Sequence, residues 1–480
     1  MELLSAFASN TWSILVVALI FGGSIFVHEL GHFLAARWRG AHVERFSIGF
    51  GPAIFSWRGR SGTEYCLAWI PLGGYVLLPQ LADLGPAEGK VVTDITKLPP
   101  VNYASKLIIF VAGATFNILF AFVLACIISV AGLPTFSELA TTRIGSVAAS
   151  VKLPDGTTVP NPAAEAGLRA GDIVRSVDGN RVENFEEVFN AVFLGKSRAA
   201  DGRRESRFII ERDGATVEAV VYPRLVGEEK FRVVGIEPAE DLTAESVLPG
   251  SPALMAGVRP GDRILTVDGT PVYQRSAVSA HLAKNSTRPS EFLLLRGGEK
   301  ITLRIQPRLE PGEGGGAPTV RIGLRYRDNF IIAHPSPWSQ LVGPVLSTFR
   351  TLGALLSPSS DIGPSKLSGP VGIVRELHRQ AQWDFRGALS FAVLLNVSLA
   401  IFNLLPLPVL DGGQMLFATI SRVRRRDLPL NFIIATQSAC WVLLLSLIAY
   451  VTFFDVRRLS RDNKSEREAP AAKPAAPAGK

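Results

Sequence analysis

Only three cysteines occur in 480 residues. Cys66, Cys126 and Cys440 stand far apart with no C-x-x-C pair, so neither a disulfide framework nor a cysteine zinc site follows. The last two lie in apolar runs, where a thiol packs as a small hydrophobe. Charge is scarce as well, at 19% Asp, Glu, Lys and Arg against 47% hydrophobic residues. That balance argues against an ordinary soluble enzyme of this length, and the length suggests about three units. Acidic residues are outnumbered, for a formal net charge of +8. No aromatic and basic interleaving accompanies the excess, which argues against nucleic-acid binding and fits lysines and arginines in short loops near anionic headgroups. Histidine is the rarest polar resource of all, with six in the chain.

Two of those six stand in "LIFGGSIFVHELGHFLAARW", as the string HELGH. His28 and His32 are four apart, so on a helix they occupy one face. That spacing lets two imidazoles hold one Zn²⁺, with Glu29 beside them as general base. The plainer reading is a pair of ordinary helix histidines. Against it stands the long apolar run around them, because ionisable groups at membrane depth are costly enough to imply function. The segment lacks a basic n-region and a small-residue cleavage site, so it is read as a retained span and not as a signal peptide.

Long apolar runs predict four transmembrane helices, within 1–37, 104–133, 385–421 and 431–455, each near the roughly 20 residues a bilayer needs. A fifth apolar stretch from Trp338 carries Arg350 and scattered hydroxyls, and in the linker 327–384 it is expected as an amphipathic surface helix. Between the second and third spans the chain changes character and repeats itself. Residues 164–179 read "AEAGLRAGDIVRSVDG" and residues 254–269 read "LMAGVRPGDRILTVDG". Each copy predicts a strand followed by an Asp-Gly hairpin turn, a helix and two more strands. This frame resembles PDZ domains, here over 140–238 and 239–326, which bind extended peptides at a sheet edge and perform no chemistry. Two structural β modules without a ligand are the plainer alternative. The fold class is therefore a polytopic α-helical membrane protein with two α+β PDZ-like domains. Residues 456–480, ending in "AAKPAAPAGK", are expected to be disordered.

Arg37, Arg39, Arg45, Arg58 and Arg60 follow the first span, and Arg422, Arg424, Arg425 and Arg426 lie between the third and fourth. Both sets favour cytoplasmic loops and place the PDZ-like region outside. Arg457, Arg458, Arg461 and Lys464 argue the other way, and the first loop is weighted more heavily. A zinc site needs a third protein ligand. The third span offers "NLLPLPVLDGGQM", in which Pro406 and Pro408 break the helix and Gly412–Gly413 permit close approach. Asp411 there would complete a site with His28 and His32; an interfacial aspartate starting a turn is the alternative.

HELGH in the first span, with N-x-x-P-x-P-x-L-D-G in a later one, resembles the site-2 protease family of intramembrane zinc metalloproteases. The two PDZ-like copies, "GFGP" at 49–52, "PLGGYV" at 71–76 and "LSGPVGI" at 367–373 resemble its regulator of sigma-E protease branch. The resemblance implies Zn²⁺ on His28, His32 and Asp411, with Glu29 as catalytic base. It implies that Asn396 and Asn403 hold the substrate backbone or oxyanion. It also implies that Gly73, Gly74, Tyr75 and Val76 belong to a membrane-reentrant β-hairpin, within 38–103, which pairs with an unwound substrate. One departure stands in "VAGATFN", where Ala114 replaces a proline common in the family before Asn117. The implied activity is cleavage within the transmembrane segment of single-span membrane proteins, such as an anti-sigma factor or signal-peptide remnants, after an upstream protease has trimmed them. The implied location is a bacterial inner membrane. Two alternatives are a membrane PDZ scaffold with a vestigial metal site and a metallopeptidase acting on soluble peptides at the membrane surface.

Overall fold

The computed structural model describes residues 2–81, 98–153, 156–227, 229–286, 288–310, 319–327 and 330–468. The chain divides into two compact units: residues 1–133, 334–350 and 363–480 form one, and residues 134–333 with 351–362 form the other.

The first unit is helical. Its elements are α1 (Glu2–Trp38), β1 (Arg45–Arg58), β2 (Glu64–Leu77), α2 (Tyr103–Ala131), α3 (Pro337–Leu356, which runs on into the second unit), α4 (Pro370–Trp383), α5 (Phe385–Asn403), α6 (Asp411–Arg424) and α7 (Leu430–Glu468). Among the described residues, four stretches are long and apolar enough to cross a membrane: Thr11–Trp38, Tyr103–Ala131, Phe385–Asn403 and Leu430–Asp462. Small residues let these helices approach closely. Ala121 and Ala125 of α2 and Ala388 and Ala392 of α5 are buried in one cluster with Val16 and Ile20 of α1. A β-carbon on Gly31 of α1 would strike the Ala112 carbonyl of α2, so α1 lies against the α2 backbone there.

Helix α5 stops at Asn403, as Pro406 and Pro408 require. The chain turns through residues 404–410 and restarts as α6 at Asp411. Residues 385–421, read as one span, are therefore a helix, a turn and a second helix. A larger departure lies at the C-terminus, where α7 continues to Glu468 and residues 456–468 are helical, not disordered. The reason is docking. Asp455 is buried and accepts the Gly372 N–H at 2.8 Å, and Arg375 pairs with Asp462 at 2.9 Å. The Ala/Pro/Lys composition behind the expectation starts only at Ala469, and residues 469–480 lie outside the described residues. The stretch from Trp338 forms α3 and is not among the four candidate spans.

Strands β1 and β2 are bent, so that β1 meets β2 twice. Residues 53–58 pair with 64–68 around the hairpin turn, while Arg45–Ile48 lies between Glu64–Leu67 and Gly74–Leu77. Gly74–Leu77 is thus an outer segment of this small sheet. The hairpin end carries exposed Ile54, Phe55, Trp57 and Trp69.

The second unit contains two modules of like construction. In the first, a four-stranded antiparallel sheet has the order Ala215–Val221, Ser206–Arg212, Ile173–Val177, Asn180–Arg181, with a helix over Phe185–Phe193. The second repeats it with Glu299–Ile305, Ser290–Arg296, Arg263–Val267 and Thr270–Pro271, and a helix over Arg275–Lys284. Both Asp-Gly pairs form the expected turn, with Asp178 at φ 50° and Asp268 at φ 47°, each followed by a glycine at positive φ. The aspartate of each repeated G-D is buried and gripped by two nitrogens of a strand arginine, Asp172 by Arg212 and Asp262 by Arg296, all at 2.7 Å.

A third aspartate of this unit, Asp361, gathers three arginines. Arg232 reaches it at 2.6 Å, Arg204 at 2.9 Å and Arg198 at 3.3 Å. Arg232 is fully buried, and its two terminal nitrogens find no acceptor among the described residues. Burial alone would raise the Asp361 carboxyl, but hydrogen bonds from Arg204 and Arg232 outweigh it and hold the group below the ordinary carboxylate range. Asp361→Asn leaves the buried Arg232 uncompensated and should destabilise the unit by about 3 kcal/mol, read as lost hydrogen-exchange protection around Arg232 and Ser359. A carboxyl depressed in the folded state stabilises above its unfolded pKa of about 3.9 and loses that contribution as pH falls through its folded value. Protection there should therefore hold at pH 6 and decline below about pH 4.

Candidate metal centre and active-site cavity

Helix α1 places His28 and His32 one turn apart, and the restart of the chain at α6 brings Asp411 opposite them. His28 Nε2 and His32 Nε2 lie 3.1 Å apart. Asp411 Oδ2 stands 3.3 Å from the first and 3.4 Å from the second. All three ligand atoms fall within 4.8 Å of one another. Bonds of about 2.0–2.1 Å at the tetrahedral angle put ligand atoms roughly 3.3 Å apart, so the spacing is that of three corners of a zinc tetrahedron. The donor atoms support the same fit. Asp411 Oδ2 is buried and has no hydrogen-bond donor among the described residues, as befits an atom whose lone pairs face a cation.

The surroundings orient the ligands. His32 Nδ1 lies 2.7 Å from the Ile109 carbonyl of α2, which can only accept, so Nδ1 carries the proton and Nε2 is free to ligate. His28 Nδ1 faces the Asn117 amide at 3.4 Å, and Asn117 Oδ1 has no partner among the described residues. Turning that amide by half a rotation lets Oδ1 accept from Nδ1–H, which satisfies the oxygen and frees His28 Nε2 as well. Gly113 of α2 packs against both rings, and a β-carbon there would fall 2.7 Å from His28 Cε1. Asp411 sits in the first turn of α6, where the helix dipole favours a carboxylate. Gln414 Nε2 donates to the Pro408 carbonyl at 2.9 Å and so fixes the turn that delivers Asp411. A β-carbon on Gly412 or Gly413 would strike the Leu404, Leu405 or Leu407 carbonyls, which explains the glycine pair after Asp411.

A cavity of ≈ 230 Å³ opens at this point. It is lined by His28, Glu29, His32 and Asp411, and on other sides by Gly74, Tyr75, Val76 and Asn403. The Val76 N–H faces the Glu29 carboxylate. Gly74 is held close on both sides, since a β-carbon there would lie 2.9 Å from the Ser47 carbonyl and 3.2 Å from Glu29 Cγ. Of the ten residues singled out from the sequence, eight therefore border one space. Gly73 is not on the cavity wall; it turns the strand at φ 126°. Asn396, expected at the substrate, is fully buried and joins helices instead: its Nδ2 donates to Ser24 Oγ of α1 at 2.9 Å and to the Ala392 carbonyl at 2.8 Å.

Sequence reasoning assigned no role to Gly113, Asn117, Gln414 or the Ile109 carbonyl. Asn117 carried a signal, as a lone amide inside an apolar span. A backbone carbonyl and a glycine carry none.

The description of peptidase family M50 matches residues 16–447 of this chain. The regulator of sigma-E protease RseP of Escherichia coli K12 is 28% identical over 94% of this chain and 100% of its own length. A Neisseria meningitidis protein named as a candidate zinc metalloprotease is 32% identical over 92% of this chain and 99% of its own. Among solved structures, the PDZ domain of an SdrC-like protein from Listeria monocytogenes matches 18% of this chain and 87% of its own length, at 18% identity and a TM-score of 0.16. The family match runs from α1 into α7 and encloses every residue of the centre, and the chain belongs to peptidase family M50.

Proposed function

We propose that this chain is an intramembrane zinc metalloprotease that hydrolyses a peptide bond in the transmembrane segment of single-span membrane proteins. The observation that carries the reading is the meeting of His28 and His32 from one apolar helix with Asp411 at the start of α6 at tetrahedral spacing. Membership of the M50 peptidases supports it, as do relatives of nearly full length named as sigma-E regulating proteases.

His28, His32 and Asp411 would hold the ion. Zinc bound there supplies Lewis acidity for the scissile carbonyl and for water. Glu29 takes the proton of the attacking water and delivers it to the departing amine, a role typically worth 10²–10⁴-fold. A peptide bond within a helix is shielded by its own hydrogen bonds, so the substrate must be drawn out before attack. The outer segment Gly74–Leu77 supports such drawing out, because a substrate strand laid along it would cross the cavity beside Glu29. Asn403 lines the cavity at the end of α5, which supports a role for its amide in donating to the developing oxyanion. Asn396 serves at one remove, holding α5 against α1 one turn before His28.

The exposed aromatic and aliphatic side chains of the β1–β2 hairpin suit lipid contact, and the hairpin would lie in the membrane. The arginine-rich loops after α1 and α6 would face the cytoplasm of a bacterial inner membrane. The two PDZ-like modules would then lie outside and act as a size filter, admitting substrates already trimmed by another protease. Anti-sigma factors and signal-peptide remnants are substrates of the expected kind.

Glu29→Gln should lower cleavage of a reconstituted single-span reporter by at least about 10²-fold while leaving bound zinc unchanged; residual activity within a few-fold of wild type would rule out Glu29 as the base. Purified chain should carry one zinc by mass spectrometry of the metal, with none retained by Asp411→Ala. Asn117→Leu should weaken zinc affinity about 10- to 100-fold in chelator competition, the usual cost of losing a partner to a ligating imidazole. Deleting residues 140–325 should permit cleavage of untrimmed reporters; continued restriction to trimmed ones would count against the filter.

A further inference from the structure

The cavity at the metal centre has a neighbour. Leu81, Phe110 and Gln414 border both it and a second space of ≈ 610 Å³, at the start of α2 and the loop joining α6 to α7. This second space is basic. Lys106, Arg422, Arg425 and Arg426 line it, against one acidic residue, Asp427. The three arginines are exposed and follow or end α6, with Arg425 at φ 54° closing the helix. Loops at a membrane surface collect Lys and Arg as a matter of course. That tendency accounts for their number but not for their position around a space that shares Leu81, Phe110 and Gln414 with the cavity of the centre.

The proposed reaction creates a need for such a wall. Hydrolysis breaks the C–N bond and forms a C–O bond; one water proton goes to the leaving amine, and the second, lost as the new acid ionises, is balanced by the one that turns the amine into an ammonium. A neutral amide thus becomes a carboxylate on the N-terminal fragment and an ammonium on the other. A fresh carboxylate at bilayer depth is costly. Guanidinium groups are well suited to receive it, since they bind carboxylates through paired hydrogen bonds.

We propose that this basic vestibule binds the carboxylate end of the N-terminal cleavage product. The proposal rests on the protease reading, and it fixes a direction: the part of the substrate N-terminal to the cut lies on the side of Arg422, Arg425 and Arg426. It also makes these arginines a product site, separate from the groups that perform the cut.

The test uses full-length protein in detergent and two fluorescent peptides of one sequence, the N-terminal product of a cleaved reporter. One ends in a free carboxylate and the other in a carboxamide. Binding by anisotropy should favour the acid by about tenfold, the scale of hydrogen bonds to charged groups. That preference should fall below about threefold in the Arg422→Gln/Arg425→Gln/Arg426→Gln protein and persist in the corresponding triple Lys protein, which keeps the charge. It should also shrink as salt is raised from 0.05 to 0.5 M, over roughly the range where exposed charges become screened. Equal binding of acid and amide overturns the proposal. So does an acid preference that survives the Gln substitutions, since the carboxylate would then sit at the three-ligand centre. Reporter cleavage measured alongside keeps the two ideas apart, because its absence would strike the protease reading whatever the peptides do.

Discussion

Two imidazole nitrogens and a carboxylate oxygen lie within 3.4 Å of each other in the first unit. With their lone pairs turned inward, these atoms repel unless a cation sits among them, and most of the local structure serves to hold them in that arrangement. The Ile109 carbonyl and the Asn117 amide set which ring nitrogens face the centre. Gly113 leaves out a side chain that would strike both rings. The prolines after Asn403 end one helix so that another can begin with Asp411 pointing back. The glycine and the proline break each cost some ordinary helix stability, accepted where backbone irregularity can line a polar cavity.

Water and an extended peptide must both reach this centre, and the architecture supplies a place for each. The cavity is walled by helix on one side and by Gly74, Tyr75 and Val76 of the outer strand segment on the other, so the candidate catalytic groups and a strand edge share one space. Glu29 stands at their junction, beside the imidazoles by sequence and beside Gly74 and Val76 by folding. The basic vestibule next door extends the same logic to the product, whose charge differs from that of the substrate.

The second unit is stabilised by a different principle. Its modules bury aspartates under arginines, Asp172 under Arg212 and Asp262 under Arg296, and the half-buried Asp361 of the same unit compensates the buried Arg232. Such pairs contribute little to net stability compared with well-packed apolar residues, but breaking one strands a buried charge. They therefore fix each loop in a single arrangement, which suits a unit whose proposed task is exclusion by shape.

Much of the candidate site was legible beforehand because it depends on spacing along one element. The four-residue interval of HELGH puts His28 and His32 on one face of any helix, and two prolines followed by Asp-Gly-Gly break any span. The internal repeat marked the twin modules, since each Asp-Gly turn is a local event. Longer-range facts were not legible. Asn396 and Asn403 look alike in sequence and, seven residues apart on α5, share one face, yet one meets Ser24 and the other the cavity, a difference set by which neighbour lies opposite each level of the helix. The helical residues 456–468 were missed because their order comes from Asp455 and Asp462 docking on distant partners, not from composition. The sequence alone determined which residues could chelate an ion and that the chain had to break at Pro406 and Pro408 ahead of Asp411, because covalent spacing and proline geometry act locally. Only the tertiary structure decided that Asp411 meets those histidines and that Asn117 and Ile109 orient them, because contacts between helices depend on the packing of whole surfaces.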